Sequence, residues 1–362
     1  MKNLHIKFGA CLLIAAAGFT SCSKSKKEVT PITPKVLTVT TLAGSTTAGS
    51  LDGTGIASSF KNLSGLIFSS DGTLYVGDWA NNLIRKVNVS TGAVTRYAGT
   101  VTPGFTDGPL ASAVFNGTAN LTFDKAGNLF IADEENNAIR EITTAGTVVT
   151  IAGSGAQGAN DGIGTAATFF HPEGIVADGN GNLYVADNNN TIRKININTK
   201  QVTTYAGTGI RGFKDGPVAN AQFSSPYGLA LDANGDLYVG DIVNNRIRKI
   251  TISTGTVSTF AGTGTQGLTN GTALSSTFYF PCGLTFDSSG NLFVAELRNN
   301  TIRKIATDGT VTTYAGTGAQ GSTDGPATSA TFYQPIGLAV DASGNVYVAD
   351  EYNNELRKIS LK

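Results

Sequence analysis

Six copies of one four-strand unit predict an all-β chain: a six-bladed β-propeller of four-stranded antiparallel blades, closed by an N-terminal strand that completes the last blade. Three observations carry this expectation. First, the pentapeptides ending at Asp78, Asp133, Asp187, Asp241, Glu296 and Asp350 (LYVGD, LFIAD, LYVAD, LYVGD, LFVAE, VYVAD) recur at intervals of 55, 54, 54, 55 and 54 residues. Second, each unit is a run of short apolar segments separated by turn signals at hairpin spacing. Third, the sixth unit stops after its third strand, whereas residues 36–44, VLTVTTLAG, are an orphan copy of the missing fourth strand.

The last unit serves as template. GLAVD (337–341) is the first strand, ASGN a tight turn and VYVAD the second strand, and EYNNE leads into LRKIS, the third. The fourth is TVTTYAG, as at 310–316 in the preceding unit. Placing 36–44 beside the third strand of unit six zips the ring shut and removes an open sheet edge. Between units, Phe60, Phe115, Phe169, Phe223, Phe278 and Phe332 recur eight residues after the Asp or Asn of an Asp-Gly or Asn-Gly pair. An aromatic held in register this way is expected to plug the space between blades.

Composition agrees and excludes some functions. Of 362 residues 45 are glycine and 40% are hydrophobic, and β-branched and aromatic residues dominate the periodic stretches. With 26 basic and 26 acidic residues the net charge is zero, which argues against a nucleic-acid partner. The G-x-G-x-x-G pattern at Gly316, Gly318 and Gly321 invites a dinucleotide reading, but no strand–glycine–helix unit fits around it. The same triplet returns at Gly153, Gly207 and Gly262, so these glycines are turn formers. The DANGD stretch at 232–236 imitates a calcium loop, yet its glycine is at the fourth position and Val243 stands where a bidentate glutamate is needed. No cofactor is called for.

Residues 1–21 read as a secretory signal: Lys2 and Lys7 precede a 12-residue apolar run too short to span a bilayer. SCSK across Cys22 resembles the lipobox of bacterial lipoproteins, especially those of Bacteroidota. The resemblance implies cleavage before Cys22 and lipidation of its thiol. Residues 22–35 then form a flexible tether, and 36–362 the propeller. A single anchor and no acidic export run give the expectation of a monomeric outer-membrane lipoprotein facing the periplasm. Cys282 is left without a partner cysteine in the propeller.

The units GLAVDASGNVYVADEYNNELRKI and GIVADGNGNLYVADNNNTIRKI resemble NHL repeats. The resemblance covers residues 36–362 and implies a six-bladed propeller whose function sits on the loop face around the channel. Residues that repeat in every unit are scaffold; positions that vary inside the fixed frame are free to specify a site. The repeated Arg85, Arg140, Arg193, Arg248, Arg303 and Arg357 match Asp78, Asp133, Asp187, Asp241, Glu296 and Asp350 one for one. This favours partly buried ion pairs at the blade contacts over a basic surface. Asn81, Asn82 and their counterparts read as turn residues.

The variable positions supply the candidates for a ligand site: Trp79, Glu134, Glu135, His171, Glu173, Tyr227, Phe280, Arg298 and Tyr352. Trp79 is the only tryptophan, and His171 the only histidine after residue 22. An aromatic and acidic cluster on a channel mouth suits a protein, peptide or glycan partner. Among related propellers, the amidating lyases hold zinc with several histidines, which one histidine cannot reproduce. The lactonase and paraoxonase group holds calcium with Glu, Asn and Asp, for which Glu173, Asn120 and Asn62 are the nearest imitation. Streptogramin lyases use a histidine base with a metal, and His171 near Glu173 is the counterpart. The leading expectation is therefore a non-catalytic, lipid-anchored binding scaffold. The alternative is a metal-assisted lyase or lactonase centred on Glu173 and His171, and a third reading is an assembly scaffold that uses blade sides.

Overall fold

The computed structural model describes residues 35–362, and Val36–Lys362 form one compact unit. The proposed signal segment, Cys22 and most of the tether lie outside the described residues. The unit is all-β: six antiparallel sheets arranged as the blades of a propeller. In the first blade the innermost strand is Leu63–Phe68, followed outward by Leu74–Asp78, Leu83–Asn88 and Ala93–Gly99. The blades have five strands rather than four. A two-residue strand, Gly53–Thr54, pairs with the outer edge of Ala93–Gly99, and every blade has its equivalent. Two residues with one glycine give no periodicity, which is why the sequence pattern misses it.

Closure is as the orphan strand implies. Leu37–Gly44 lies antiparallel against Glu355–Leu361, from Leu37 opposite Leu361 to Gly44 opposite Glu355. The last blade is thus built from strands more than 300 residues apart, and its outer edge is covered by Gly325–Pro326.

Each second strand is buried throughout, as LYVGD and its copies are packed on both faces by neighbouring blades. The six inter-blade phenylalanines are fully buried. On each lies a guanidinium: Arg85 is 5.2 Å from the Phe60 centroid, and Arg193 is 5.1 Å from Phe169. All six arginines are wholly buried, more deeply than the expected partly buried pairs, because each is held from two sides. Arg85 donates to Asp78 and to Asp52, both at 2.8 Å, and to the carbonyls of Ser59 and Leu51. Asp52 is the aspartate of the Asp-Gly pair. That residue is more than a turn former: it carries the chain across to the arginine. In the fifth blade Asn270 takes this place and still accepts from Arg303 at 2.9 Å. The third and fourth strands shift register by one residue beside each arginine, a bulge that turns its side chain into the blade contact.

Around the channel the inner strands approach backbone to backbone. A Cβ added at Gly174, Gly228, Gly283 or Gly337 would fall 2.0–2.1 Å from a carbonyl oxygen of the next blade, so only glycine fits. The other two equivalent positions are Gly65, where a Cβ would fall 2.6 Å from the Cα of Asn120, and Asn120 itself. The asparagines read as turn residues also clamp the ring. Asn82, Asn137, Asn190, Asn245, Asn300 and Asn354 each accept, through Oδ1, the backbone N–H of one residue in the next blade. Asp232 accepts the N–H groups of Asn234 and Asp236 as an ordinary Asx turn.

Candidate functional site

The residue clamped by each asparagine is Asn62, Gly117, His171, Ser225, Phe280 or Gln334, and all six have left-handed backbone, with φ between 46° and 74°. Glycine or asparagine takes this conformation readily; a histidine, phenylalanine or glutamine there costs about 1 kcal/mol. The chain keeps these larger side chains at the mouth of the channel despite that cost. Two residues further on, the inner strands carry Ser64, Ala119, Glu173, Tyr227, Cys282 and Ile336. Deeper still, Leu66, Leu121, Ile175, Leu229, Leu284 and Leu338 form an apolar, almost wholly buried ring. A third set, Trp79, Glu134 and Glu351, opens the short helical turns that follow the second strands.

These three sets converge. A cavity of about 180 Å³ is lined by Asn62, Ser64, Trp79, Glu134, Glu173, Tyr227, Ile336 and Glu351, with Leu63. The Trp79 indole Nε1 donates to Glu134 Oε2 at 2.6 Å, which fixes the ring plane. Asn62 Nδ2 donates to Glu351 Oε1 at 3.4 Å. Glu173 is the most buried of the three acids lining the cavity: it is 9% exposed, and its Oε2 is buried with no hydrogen-bond partner. Burial, and then the negative charges of Glu134 and Glu351, hold its carboxyl well above the usual carboxylate range, which the neighbouring Tyr227 hydroxyl eases only in part. Burial likewise raises Glu134, and it pushes Glu351 up to about 7. No lysine or arginine lines the cavity.

Of the residues expected to form a site, Trp79, Glu134, Glu173 and Tyr227 meet here. Glu173 and Tyr227 belong to inner strands, Pro172–Ala177 and Pro226–Leu231, and are not exposed loop residues as their variability suggested. His171 and Glu135 lie beside the cavity: His171 Nδ1 is 3.6 Å from Glu134 Oε1 and 3.7 Å from Glu135 Oε1. His171 and Glu173 make no hydrogen bond or ion pair with each other among the described residues; the carboxylates beside His171 are those of Glu134 and Glu135. Among the described residues Glu134, Glu135 and His171 are the one group whose ligand atoms lie within 4.8 Å of one another, as a metal requires. Asn120 lines a wider stretch of the channel with Leu121 and Thr122, apart from Asn62 and Glu173. Tyr352 is 48% exposed and packs on Tyr333, whereas its neighbour Glu351 enters the cavity. Phe280 and Arg298 form their own contact, 5.8 Å from guanidinium to ring, in the fifth blade.

The deciding comparison is with the repeat itself. Residues 332–359 match the NHL repeat family. The other units carry the same frame and build the same blade, so the chain is a six-bladed propeller whose last unit matches that repeat family. Human NHL repeat-containing protein 2 is 31% identical over 269 residues, spanning 65% of this chain and 37% of that protein. The chain spans less than two fifths of the length of the first curated relatives it matches. Among solved structures, an auxiliary nutrient binding protein from Bacteroides ovatus superposes with a TM-score of 0.70 at 17% identity, over 91% of this chain and 77% of that one. A gluconolactonase from Xanthomonas campestris gives 0.60 at 12% identity, over 92% and 96%. At such identities the likeness is one of fold.

Proposed function

We propose that this chain is an exported, lipid-anchored propeller that holds a ligand, or a protruding group of a protein, peptide or glycan partner, at its channel mouth without transforming it. One observation carries the reading. Positions that vary within an otherwise repeated frame, Trp79, Glu134, Glu173, Tyr227 and Glu351, come from five blades and line one cavity. Residues selected only for packing would follow the repeat, as the phenylalanines and arginines do. The fold neighbours described as auxiliary nutrient-binding proteins support a binding role of this kind. The mouth is also preorganised: glycine contacts and asparagine clamps fix the backbone, so little ordering opposes binding.

Anchoring rests on the SCSK sequence around Cys22. Cys22→Ala is expected to move the protein from membranes into the soluble exported fraction; retention on membranes would sink the anchor. A second reading, metal-assisted chemistry, draws on Glu134, Glu135 and His171, the three residues spaced for a metal. Metal analysis of the purified chain with and without chelator, beside a thermal-shift screen of glycans and peptides, separates the two. A stoichiometric metal favours the catalytic reading; a ligand shift in metal-free protein favours the binder.

A further inference from the structure

We propose that the channel mouth receives a single organic cation, an alkylammonium or guanidinium group on a short apolar stem. This rests on the mouth being a binding site, as argued above, and adds what it binds. Three carboxyl groups, Glu134, Glu173 and Glu351, border one cavity that has no basic lining residue. The buried Oε2 of Glu173 has no hydrogen-bond partner, and only the Tyr227 hydroxyl is near enough to ease the carboxyl's charge. Buried polar atoms are nearly always paired, and a bare one at the floor of a cavity marks the place of a missing donor.

The walls choose among cations. Trp79 and Tyr227 offer aromatic rings, and Trp79 is held in place by Glu134. Such faces attract ammonium and guanidinium groups through the ring quadrupole. Aliphatic groups adjoin them: Ile336 lines the cavity, and Ile242 and Leu297, in the positions equivalent to Trp79, pack on the same cluster as Tyr227 and Ile336. A charged head therefore meets the acids while a carbon stem meets the aliphatic groups. A bare metal ion suits the arrangement less well. The oxygens of Glu134, Glu173 and Glu351 do not gather within 4.8 Å, and the group that does, Glu134 with Glu135 and His171, leaves Glu173 out. Size sets the rest: about 180 Å³ is small beside the roughly 300–1,000 Å³ of drug-sized sites, so it accommodates one basic group and its stem rather than a whole sugar or peptide. That group can belong to a free amine or to a lysine or arginine side chain of a partner.

Trp79, the only tryptophan of the chain, reports directly on the cavity. Its emission in the purified full chain is followed during titration with butylammonium, butylguanidinium, neutral 1-butanol and calcium ion. Two further titrants are a short peptide bearing one lysine and the same peptide with that lysine acetylated. A saturable change is expected with the cations and the lysine peptide, with 1-butanol and the acetylated peptide at least tenfold weaker. Glu173→Gln and Glu351→Gln should each weaken the cations tenfold or more without lowering the melting temperature. Tighter binding of the free amine or of the peptide then names the source. Equal binding of 1-butanol, or saturation by calcium while organic cations are silent, overturns the proposal. If a neutral glycan or peptide perturbs Trp79 and no amine does, the cation assignment falls and the binding role stands. If nothing perturbs it, both fall.

Discussion

Replacing Arg193 by methionine tests what the buried ion pairs do. Arg193 is fully buried; it donates to Asp187 at 3.0 Å and to Asp161 at 2.9 Å, and to the carbonyls of Thr168 and Asn160. Methionine keeps much of the stem but leaves Asp187 buried with its charge uncompensated. Two donors remain to it, Phe170 N–H and Asn189 Nδ2. Removing one partner of a buried pair costs about 3–5 kcal/mol. Asp161 is different. Its side chain is 47% exposed, and Asn270 already does the same work in the fifth blade without a charge. Asp161→Asn should therefore cost below about 1 kcal/mol. The double replacement of Arg193 by Met and Asp187 by Leu should recover part of the loss, because no lone charge is left inside. Urea unfolding followed by both circular dichroism and Trp79 emission measures each difference and tests whether the two probes coincide. The Arg193→Met penalty should shrink towards pH 5, since burial already raises Asp187 to about 6 and losing the guanidinium raises it further. An Arg193→Met cost below about 1 kcal/mol, or an Asp161→Asn cost equal to it, would refute the reasoning.

Three other outcomes follow from the same structure. A chain starting at Ser45 lacks the strand that covers Glu355–Leu361 and should lose several kcal/mol, read as a lowered melting temperature; a parental melt would remove the closure argument. Phe223→Ala empties a fully buried site under Arg248 and should cost about 3–5 kcal/mol, whereas Tyr352→Ala, on the exposed rim, should stay within about 0.5 kcal/mol in the same denaturation assay. Glu134, Glu173 and Glu351 are all held above the ordinary 4.5, Glu351 at about 7, in a mouth shared with Glu135, His171 and Tyr227. The folded chain thus keeps protons that the unfolded chain gives up, so these groups lower stability as pH rises from about 4.5 through about 7. Melting temperatures between pH 5 and 8 should fall less steeply for Glu173→Gln and Glu351→Gln than for the parent; parallel curves would speak against a buried acidic cluster.

Repetition explains what could be read without coordinates. A residue present six times at one phase, such as Phe223 or Arg248, announces a scaffold role, and the orphan VLTVTTLAG announces closure. Partnerships across the unit were harder. Asp52 and Arg85 are 33 residues apart and belong to different segments of one unit; an Asp-Gly pair explains itself as a turn, which hid the second anchor of the arginine. At the mouth, the frame marked the positions 79, 134, 173 and 227 but could not tell which side chain at 351 and 352 turns inward. That depends on the helical turn at Glu351–Asn353, which puts Glu351 in the cavity and Tyr352 outside. Nor could variability separate an inner-strand residue such as Glu173 from a loop residue, because both escape the repeat.

The shared sixth blade also orders events in time. Leu37–Gly44 is made early, and its partner Glu355–Leu361 appears only after more than 300 further residues. Until synthesis reaches that point, the early strand is an unpaired β-segment and the first five blades form an open arc. Joining distant segments carries a loop entropy that grows slowly with length but must be met before the contacts form, which makes such closures slow. A nascent chain of this design therefore spends a long interval with two sticky edges exposed, and it depends on whatever shields them until the ring can shut.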